Sequence, residues 1–121
     1  MRSRFRIHRH KTNRTHFDLR VVHDEILRSW SMLKAPPLNP GERRLAIERE
    51  SLEAVNIDDR RFDEQAFGEG GVYTWDEGDI DISAPAPDRL VLEFGGGKLR
   101  GRYELRRMRW YPGNRWLLVK T

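Results

Sequence analysis

The sequence predicts an all-β fold: a small closed or nearly closed β-barrel of about seven or eight short strands with little helix. Three observations favour this fold. Apolar and polar residues alternate with a period of two along much of the chain, clusters of glycine and proline separate the alternating runs, and no run has helical spacing beyond a single turn. Closing the sheet also protects the edges of so many short strands. At 121 residues the chain is long enough for one domain, which we assign to residues 1–121.

The N-terminal third of the chain predicts three strands. Apolar residues alternate with basic ones over residues 4–8 and with polar ones over residues 16–21, and residues 26–32 form a third run that contains Trp30. Three prolines between residues 36 and 40 then predict an irregular loop, because proline donates no ladder hydrogen bond and keeps the preceding residue from turning helical.

The middle of the chain is less regular. Residues 44–47 and 72–75 are short strand candidates, and the acidic residues 58–69 between them predict a loop with at most one helical turn. The run Asp76-Glu77-Gly78 predicts a turn, and the apolar residues Ile80 and Ile82 predict another short strand after it.

The clearest hairpin joins residues 90–94 to residues 99–105 through three glycines at positions 95–97. Its apolar residues can pack across the pair while Arg100, Arg102 and Arg106 face outward. The triple glycine predicts a turn and not a phosphate-binding loop, because no Lys-Ser/Thr pair and no helix follow it. A second turn at residues 111–114 leads into a last strand over residues 116–119.

The composition excludes several classes of protein. No apolar run approaches the roughly 20 residues of a membrane-spanning helix, and the basic N-terminus lacks the apolar stretch of a secretory signal. The chain has no cysteine, which excludes disulfides and thiolate metal sites. We therefore expect no membrane partner and a reducing, cytoplasmic location.

The net charge of +4 conceals a segregation of charge along the chain. Residues 1–34 carry +6, residues 35–93 carry −9 and residues 94–121 carry +7, and most of the basic residues are arginine. If the two ends meet in space, they form a basic surface that faces away from an acidic middle. This pattern favours a polyanion partner, most simply nucleic acid. The alternative is a domain whose arginines pair with its own carboxylates.

All four histidines lie within the first 23 residues, and His8, His10 and His16 accompany Asp18 and Arg20. On a strand, residues 16, 18 and 20 share one face, and a turn over residues 11–15 would bring His10 beside them. Two imidazoles and a carboxylate suit a divalent transition metal such as Mn²⁺ or Zn²⁺, with Arg20 placed to clamp a phosphate. The alternative is a solvated basic arm in which Arg20 pairs with Asp18.

The same residues carry a resemblance to a known family. Residues 10–20, HKTNRTHFDLR, and residues 27–34, LRSWSMLK, resemble the opening of the 3′-phosphoesterase domain of bacterial DNA ligase D. That family reads His, five residues, His-Tyr/Phe-Asp-Phe/Leu-Arg, then Leu-Lys-Ser-Trp-x-x-Pro-Lys. Further similar runs lie at residues 44–47, 72–78, 99–105 and 116–120, so the similarity extends from Phe5 to Lys120.

The resemblance implies a β-barrel with a metal-dependent activity on DNA 3′ ends, in the cytoplasm of a bacterium or an archaeon. Family members trim a terminal ribonucleotide and remove a 3′ phosphate, typically with Mn²⁺, and leave the 3′-OH that end joining requires. By the resemblance, the metal ligands are His10, His16 and Asp18. The basic residues that engage phosphate are Arg20, Lys34 and Arg44. The implied partners are primer–template or break ends, with ligase, polymerase and Ku-type end-joining proteins, and the domain is expected to be a monomer.

Three departures from the family pattern affect the implied activity. The run RESLE at residues 49–53 lacks a histidine that the family carries in an Asp-His-Pro stretch, and Val55 stands near the place of an active-face tyrosine. Only nine residues precede His10, where family members have a longer extension that helps to remove ribonucleotides. His8 is an additional histidine that shares a strand face with His10, and it is a candidate catalytic acid or phosphate donor. The alternative for His8 is a solvent-exposed residue on a basic strand.

Two functional hypotheses of different class follow. The first is a metal-dependent 3′-end phosphoesterase with an altered site. The second is a DNA-end-binding module of the same fold that retains the metal and the arginine but hydrolyses slowly or not at all. A third hypothesis, a generic nucleic-acid barrel, requires a tryptophan on which bases stack. Trp30 and Trp116 are predicted to lie in the core, which leaves Trp110 as the stacking candidate.

Overall fold

The computed structural model describes residues 1–11, 14–53, 71–109 and 114–121, with residues 52–53 described as backbone only. These residues form nine strands and contain no helix. The strands are β1 (Arg2–Lys11), β2 (His16–His23), β3 (Ile26–Met32), β4 (Arg43–Glu48), β5 (Leu52–Glu53), β6 (Gly71–Ala86), β7 (Arg89–Gly96), β8 (Arg100–Arg107) and β9 (Arg115–Lys120). No segment of the described residues is therefore a helix of the length and apolar character that could span a membrane.

The strands close into an antiparallel barrel. The order around the barrel is β2-β1-β6-β7-β8-β9-β4-β3, and pairing between β2 and β3 closes it. The two-residue strand β5 pairs with β3 at Ile26 and Leu27, on the same edge as β4, because β2 occupies the other edge of β3. The ladder between β3 and β4 is short, since it pairs only Trp30 with Glu48 and Ser31 with Ile47. The prediction of a small all-β barrel is confirmed.

The core lies inside the barrel and uses the apolar faces that the alternation predicted. Trp30 and Trp116 meet edge to face with their ring centroids 5.9 Å apart. The guanidinium of Arg28 lies 4.9 Å from the Trp30 ring centroid and donates to the Glu48 carboxylate. The predicted inward residues of the C-terminal hairpin are all buried: Leu90, Leu92, Phe94, Leu99, Tyr103 and Leu105. The outward arginines Arg100, Arg102 and Arg106 are exposed, as predicted.

The prediction of a turn at residues 76–78 is wrong, because β6 continues without a break from Gly71 to Ala86. Two features explain why Asp and Gly stand in the middle of a strand. The Asp76 carboxylate accepts backbone hydrogen bonds from Gly97, Lys98 and Leu99, and so holds the turn between β7 and β8. This turn lies at residues 97–99 and not at the predicted 95–97, because Gly95 and Gly96 belong to β7. Gly78 is required because a Cβ there would lie 2.4 Å from the carbonyl oxygen of Gly95.

The distribution of charge also differs from the expectation. Within the described residues, part of the acidic middle lies beside the basic N-terminus, because acidic residues of β6 pair with the start of β1. Arg6 lies 2.6 Å from Glu77, Arg2 lies 3.4 Å from Asp79, and the α-amino group of Met1 lies 3.0 Å from Asp81. The two basic ends do not form one surface either, since β8 lies four strands from β2 in both directions around the ring. The alternative of internal pairing therefore holds for the start of β1.

Three predicted features lie outside the described residues. They are the acidic loop at residues 58–69, the place of the missing tyrosine near Val55, and the stacking candidate Trp110. The turn predicted at residues 111–114 lies outside them as well, apart from Asn114.

Tyr103 ties β8 to the proline-rich loop and makes stability depend on pH. Its buried hydroxyl donates a 2.6 Å hydrogen bond to the carbonyl oxygen of Pro37. Burial, followed by the nearby charges of Asp76 and Glu42, raises the pKa of Tyr103 from 10.0 to about 12. Because the folded state holds this proton more tightly, the contribution is complete below about pH 10, and the free energy of unfolding is expected to fall as the pH rises from about 10 to about 12.

Urea unfolding at about pH 9 and about pH 11.5 measures this loss. The variant Tyr103→Phe has no proton to lose, so its stability should change less between the two values. An equal loss in both proteins would show that other groups cause the alkaline destabilisation.

Candidate metal centre

A polar cluster occupies the face of β1 and β2 that is turned away from the core. On the core face, Phe5 stands opposite Val21 and Ile7 opposite Leu19. On the other face, Arg6 stands opposite Arg20, His8 opposite Asp18, and His10 opposite His16. Side chains directly opposite each other in an antiparallel pair project from the same face, with Cβ atoms about 4.5–5.5 Å apart. The period-two alternation of the sequence therefore brings the three histidines and Asp18 together, as predicted.

Among the predicted metal ligands, His16 contacts both His10 and Asp18. His10 Nδ1 lies 3.2 Å from His16 Nε2, and the two rings meet edge to face with centroids 4.7 Å apart. His16 Nε2 lies 3.4 Å from Asp18 Oδ2. All three side chains are buried. The two imidazoles share a hydrogen bond, in which one ring nitrogen carries the proton and the other accepts it.

The donor set suits a divalent cation, although the side chains do not yet surround one. In the described ranges, no three or more His, Cys, Asp or Glu side chains stand in the arrangement of a formed metal site. The spacings of 3.2 and 3.4 Å are close to the roughly 3.0–3.5 Å between neighbouring ligand atoms around an ion bound at about 2.0–2.2 Å. A cation between His10 and His16 would replace the proton that they share. Nitrogen and carboxylate donors without sulfur fit Mn²⁺ or Zn²⁺.

Two residues of neighbouring segments orient the Asp18 carboxylate. The hydroxyl of Ser31, which stands opposite Asp18 on β3, donates a 2.6 Å hydrogen bond to Asp18 Oδ1. Arg49 Nε in turn donates to Ser31 Oγ at 3.2 Å. Such outer contacts fix the orientation of a ligating carboxylate. Sequence reasoning missed both roles; Ser31 could have been found, because pairing of β3 with β2 places it on the polar face.

Arg20 and His8 also belong to the cluster. Arg20 follows Asp18 by two residues on the same face of β2, stands opposite Ser29 of β3, and is fully buried. His8 stands opposite Asp18 and only 2% of its surface is exposed. The alternative that His8 is a solvent-exposed residue is therefore wrong.

Lys34 and Arg44 lie beside the cluster and not within it. Both line a cleft over β3 and β4 that reaches Ser31. The Arg44 guanidinium donates to the carbonyl oxygens of Ala35 and Arg43, at 2.7 and 2.8 Å, and lies 3.6 Å from the Glu42 carboxylate. Arg44 is thus held at the rim of the cleft by backbone contacts.

The match to known proteins covers the cluster and most of the barrel. The family model of the DNA ligase D 3′-phosphoesterase domain matches residues 8–107, from His8 of the cluster to the end of β8. The chain belongs to this family. The resemblance seen in the sequence is confirmed, and the matched residues include the polar cluster on β1 and β2.

Curated relatives of this 3′-phosphoesterase domain are much longer proteins. The multifunctional non-homologous end joining protein LigD of Mycobacterium bovis is 33% identical over 119 residues, which is 93% of this chain and 15% of that protein. LigD of Pseudomonas aeruginosa is 32% identical over 125 residues, which is 98% of this chain and 15% of that protein. A LigD of Mycobacterium tuberculosis is 33% identical over the same share. This chain therefore spans about 15% of the length of these relatives.

Proposed function

We propose that this protein is a metal-dependent 3′-end-processing phosphoesterase that acts on DNA or RNA-tipped 3′ termini. It removes a 3′ phosphate or a terminal ribonucleotide and leaves a 3′-OH for end joining. The observation that supports this proposal best is the position of His16, 3.2 Å from His10 and 3.4 Å from Asp18, on a face that also carries the buried Arg20. Membership of the 3′-phosphoesterase family supports the reaction class.

The residues that would hold the cation are His10, His16 and Asp18. The proposed cation is Mn²⁺, and Zn²⁺ or another transition metal is the alternative. When bound, a divalent cation supplies Lewis-acid polarisation of the phosphoryl group. Arg20 presents a planar fork of donors that matches two phosphate oxygens at once. Its burial on this face lowers the local dielectric response, so its charge acts on a transferring phosphoryl group more strongly than it would in water.

His8 is proposed to hold or donate a proton at the phosphate. It stands directly opposite Asp18, on the same face as His10 and two residues before it. This position suits the supply of an imidazole in place of the histidine that the run at residues 49–53 lacks. Lys34 and Arg44, at the adjoining cleft, are proposed to engage the phosphates of the strand that ends in the site.

The substrate and partners follow from the same proposal. The relatives are named for non-homologous end joining, and we propose that this domain serves the same process on primer–template or break ends. Ligase, polymerase and Ku-type proteins are the proposed protein partners, in the cytoplasm of a bacterium or an archaeon.

A second candidate function is a DNA-end-binding module that keeps the metal ligands and hydrolyses slowly or not at all. The observation that favours it is the use of Arg49, at the start of the histidine-free run, as a donor to Ser31. In that arrangement the run orients Asp18 through Ser31. Loss of one catalytic acid or base typically costs about 10²–10⁴-fold in rate.

A phosphate-release assay separates the two candidates. A primer–template with a 3′ phosphate is incubated with the protein and Mn²⁺, and free phosphate is measured with an EDTA-treated sample as control. We expect Mn²⁺-dependent release, slower than that of a family member with the complete set of residues, together with a rise in melting temperature on addition of Mn²⁺.

Tight binding of the same DNA without phosphate release, at high protein concentration and over long incubation, would favour the binding module. Binding in either case should weaken steeply with salt, because contact with phosphates releases counterions. An unchanged melting curve with Mn²⁺ would count against the metal centre in both candidates.

A further inference from the structure

A cleft of about 330 Å³ opens on the outer surface of β3 and β4, next to the metal centre. Ala46 of β4 points into the core, so its neighbours Leu45 and Ile47 project outward and form one wall of the cleft. Leu33, which follows β3, forms another part of it. These three apolar side chains are 63% (Leu33), 47% (Leu45) and 36% (Ile47) exposed. Three neighbouring apolar side chains that stay exposed can contact an apolar part of a ligand.

The cleft is continuous with the metal centre. Ser31 lines the cleft and stands opposite Ile47 on the neighbouring strand. The same Ser31 hydroxyl donates to Asp18 Oδ1 at 2.6 Å. A group seated in the cleft is therefore separated from a ligand of the centre by a single side chain.

The rim of the cleft is basic. Lys34, Arg43 and Arg44 line it together with the apolar wall. Arg43 is exposed and Lys34 is exposed, whereas Arg44 is held by the backbone contacts described above. An apolar wall edged with cations is complementary to a nucleotide, whose base and sugar present apolar faces and whose phosphates carry negative charge.

We propose that this cleft binds the base and sugar of the 3′-terminal nucleotide whose phosphate is processed at the metal centre. This inference rests on the proposed function and adds to it the part of the substrate that the barrel recognises outside the reacting phosphate. The volume matches the small end of ligand sites, about 300–1,000 Å³.

The test compares base removal with removal of the apolar wall. The substrates are a primer–template with a 3′-phosphorylated thymidine and the same oligonucleotide with a 3′-phosphorylated abasic tetrahydrofuran residue in that position. The proteins are the unaltered chain, the double variant Leu45→Ser with Ile47→Ser, and the control Ile26→Ser. Ile26 is an exposed apolar residue at the far end of β3, 48% exposed and outside the cleft.

In the unaltered chain and the control, loss of the base is expected to raise KM about tenfold with little change in kcat. This change corresponds to about 1.4 kcal/mol of lost contact between the base and the apolar wall. The double variant should bind the thymidine substrate about as weakly as the abasic one. A change in KM alone separates binding of the nucleotide from a general disturbance of the site.

The dissociation constant, measured by fluorescence anisotropy in EDTA, gives the same comparison without hydrolysis. The unaltered chain could release no phosphate and still bind the abasic DNA more weakly than the thymidine DNA in the anisotropy measurement. In that case the cleft proposal stands while the enzymatic function fails. If base removal costs the double variant as much as the unaltered chain, the cleft proposal is wrong whatever the activity.

Melting curves establish that the variants fold, and Leu33→Ser, in the loop after β3, is a second variant that alters no strand. In this variant too, removal of the base should raise KM less than it does in the unaltered chain. A concentration-dependent dimer that the double variant abolishes would assign the cleft to a second copy of the chain and overturn the proposal.

Discussion

Replacing Asp18 with alanine is expected to lower kcat/KM for release of a 3′ phosphate by about 10³-fold or more and to abolish the rise in melting temperature with Mn²⁺. Asp18 is the only carboxylate of the described polar cluster on β1 to β3, and it lies 3.4 Å from His16. Without Asp18 the proposed cation loses its charged ligand. Loss of the cation removes several kcal/mol of charge stabilisation from the reacting phosphoryl group. Each 1.36 kcal/mol corresponds to about a tenfold change in rate.

The matched control is Ser31→Ala, which removes the hydrogen bond to Asp18 Oδ1 and leaves the ligand in place. Removal of such an outer contact typically costs about 10–100-fold in metal affinity or activity. Phosphate release and the Mn²⁺-dependent melting shift are measured for both variants, and circular dichroism checks the fold. If Asp18→Ala keeps its Mn²⁺ shift, the cation is held elsewhere and the proposed centre is wrong.

Replacing Asp76 with alanine is expected to lower the free energy of unfolding by about 3 kcal/mol. Its carboxylate accepts hydrogen bonds from the backbone amides of Gly97, Lys98 and Leu99, at 2.8, 3.1 and 2.8 Å. Hydrogen bonds to charged groups contribute about 1.5–3 kcal/mol each, and buried donors that lose their acceptor add a desolvation cost. Exposure of Gly97 and Lys98 lets water replace part of the loss.

Urea unfolding measures the effect of Asp76→Ala, with Asp79→Ala as the control. Asp79 is an acidic residue of the same strand that is exposed, with one 3.4 Å ion pair to the exposed Arg2, and its replacement should change stability by less than about 1 kcal/mol. Equal effects of the two substitutions would show that the carboxylate of Asp76 does not hold the turn.

The strands and the composition of the polar cluster could be predicted from local pattern. Alternation over residues 16–21 separates Phe17, Leu19 and Val21 from His16, Asp18 and Arg20, and in the structure the first set faces the core while the second faces the cluster. A two-residue period assigns each side chain to a face without any knowledge of neighbouring strands. Pairing of β1 with β2 could be predicted because only four residues separate the two strands in the sequence.

The features that depended on distant parts of the chain could not be predicted in this way. Asp76 and Gly78 have the composition of a turn, but the groups that explain them, at Gly95 and Gly97 to Leu99, lie about 20 residues further along the chain. The role of Ser31 depends on the register of β3 against β2. The acidic residues of β6 meet β1 only because the barrel brings together strands that are far apart in sequence.

The brevity of the contact between β3 and β4 has a consequence for dynamics. The other joints of the ring involve longer ladders, for example that of β4 with β9, which extends from Arg43 to Ile47. Local opening requires least free energy where the fewest backbone hydrogen bonds must break, so we expect the amide protons beside the β3–β4 ladder to exchange with solvent sooner than those of the longer ladders. Ser31 stands in the β3–β4 ladder itself. Local opening is thus expected where the proposed nucleotide cleft adjoins the proposed cation ligands, and a ligand that bridges the two would stabilise the closed barrel.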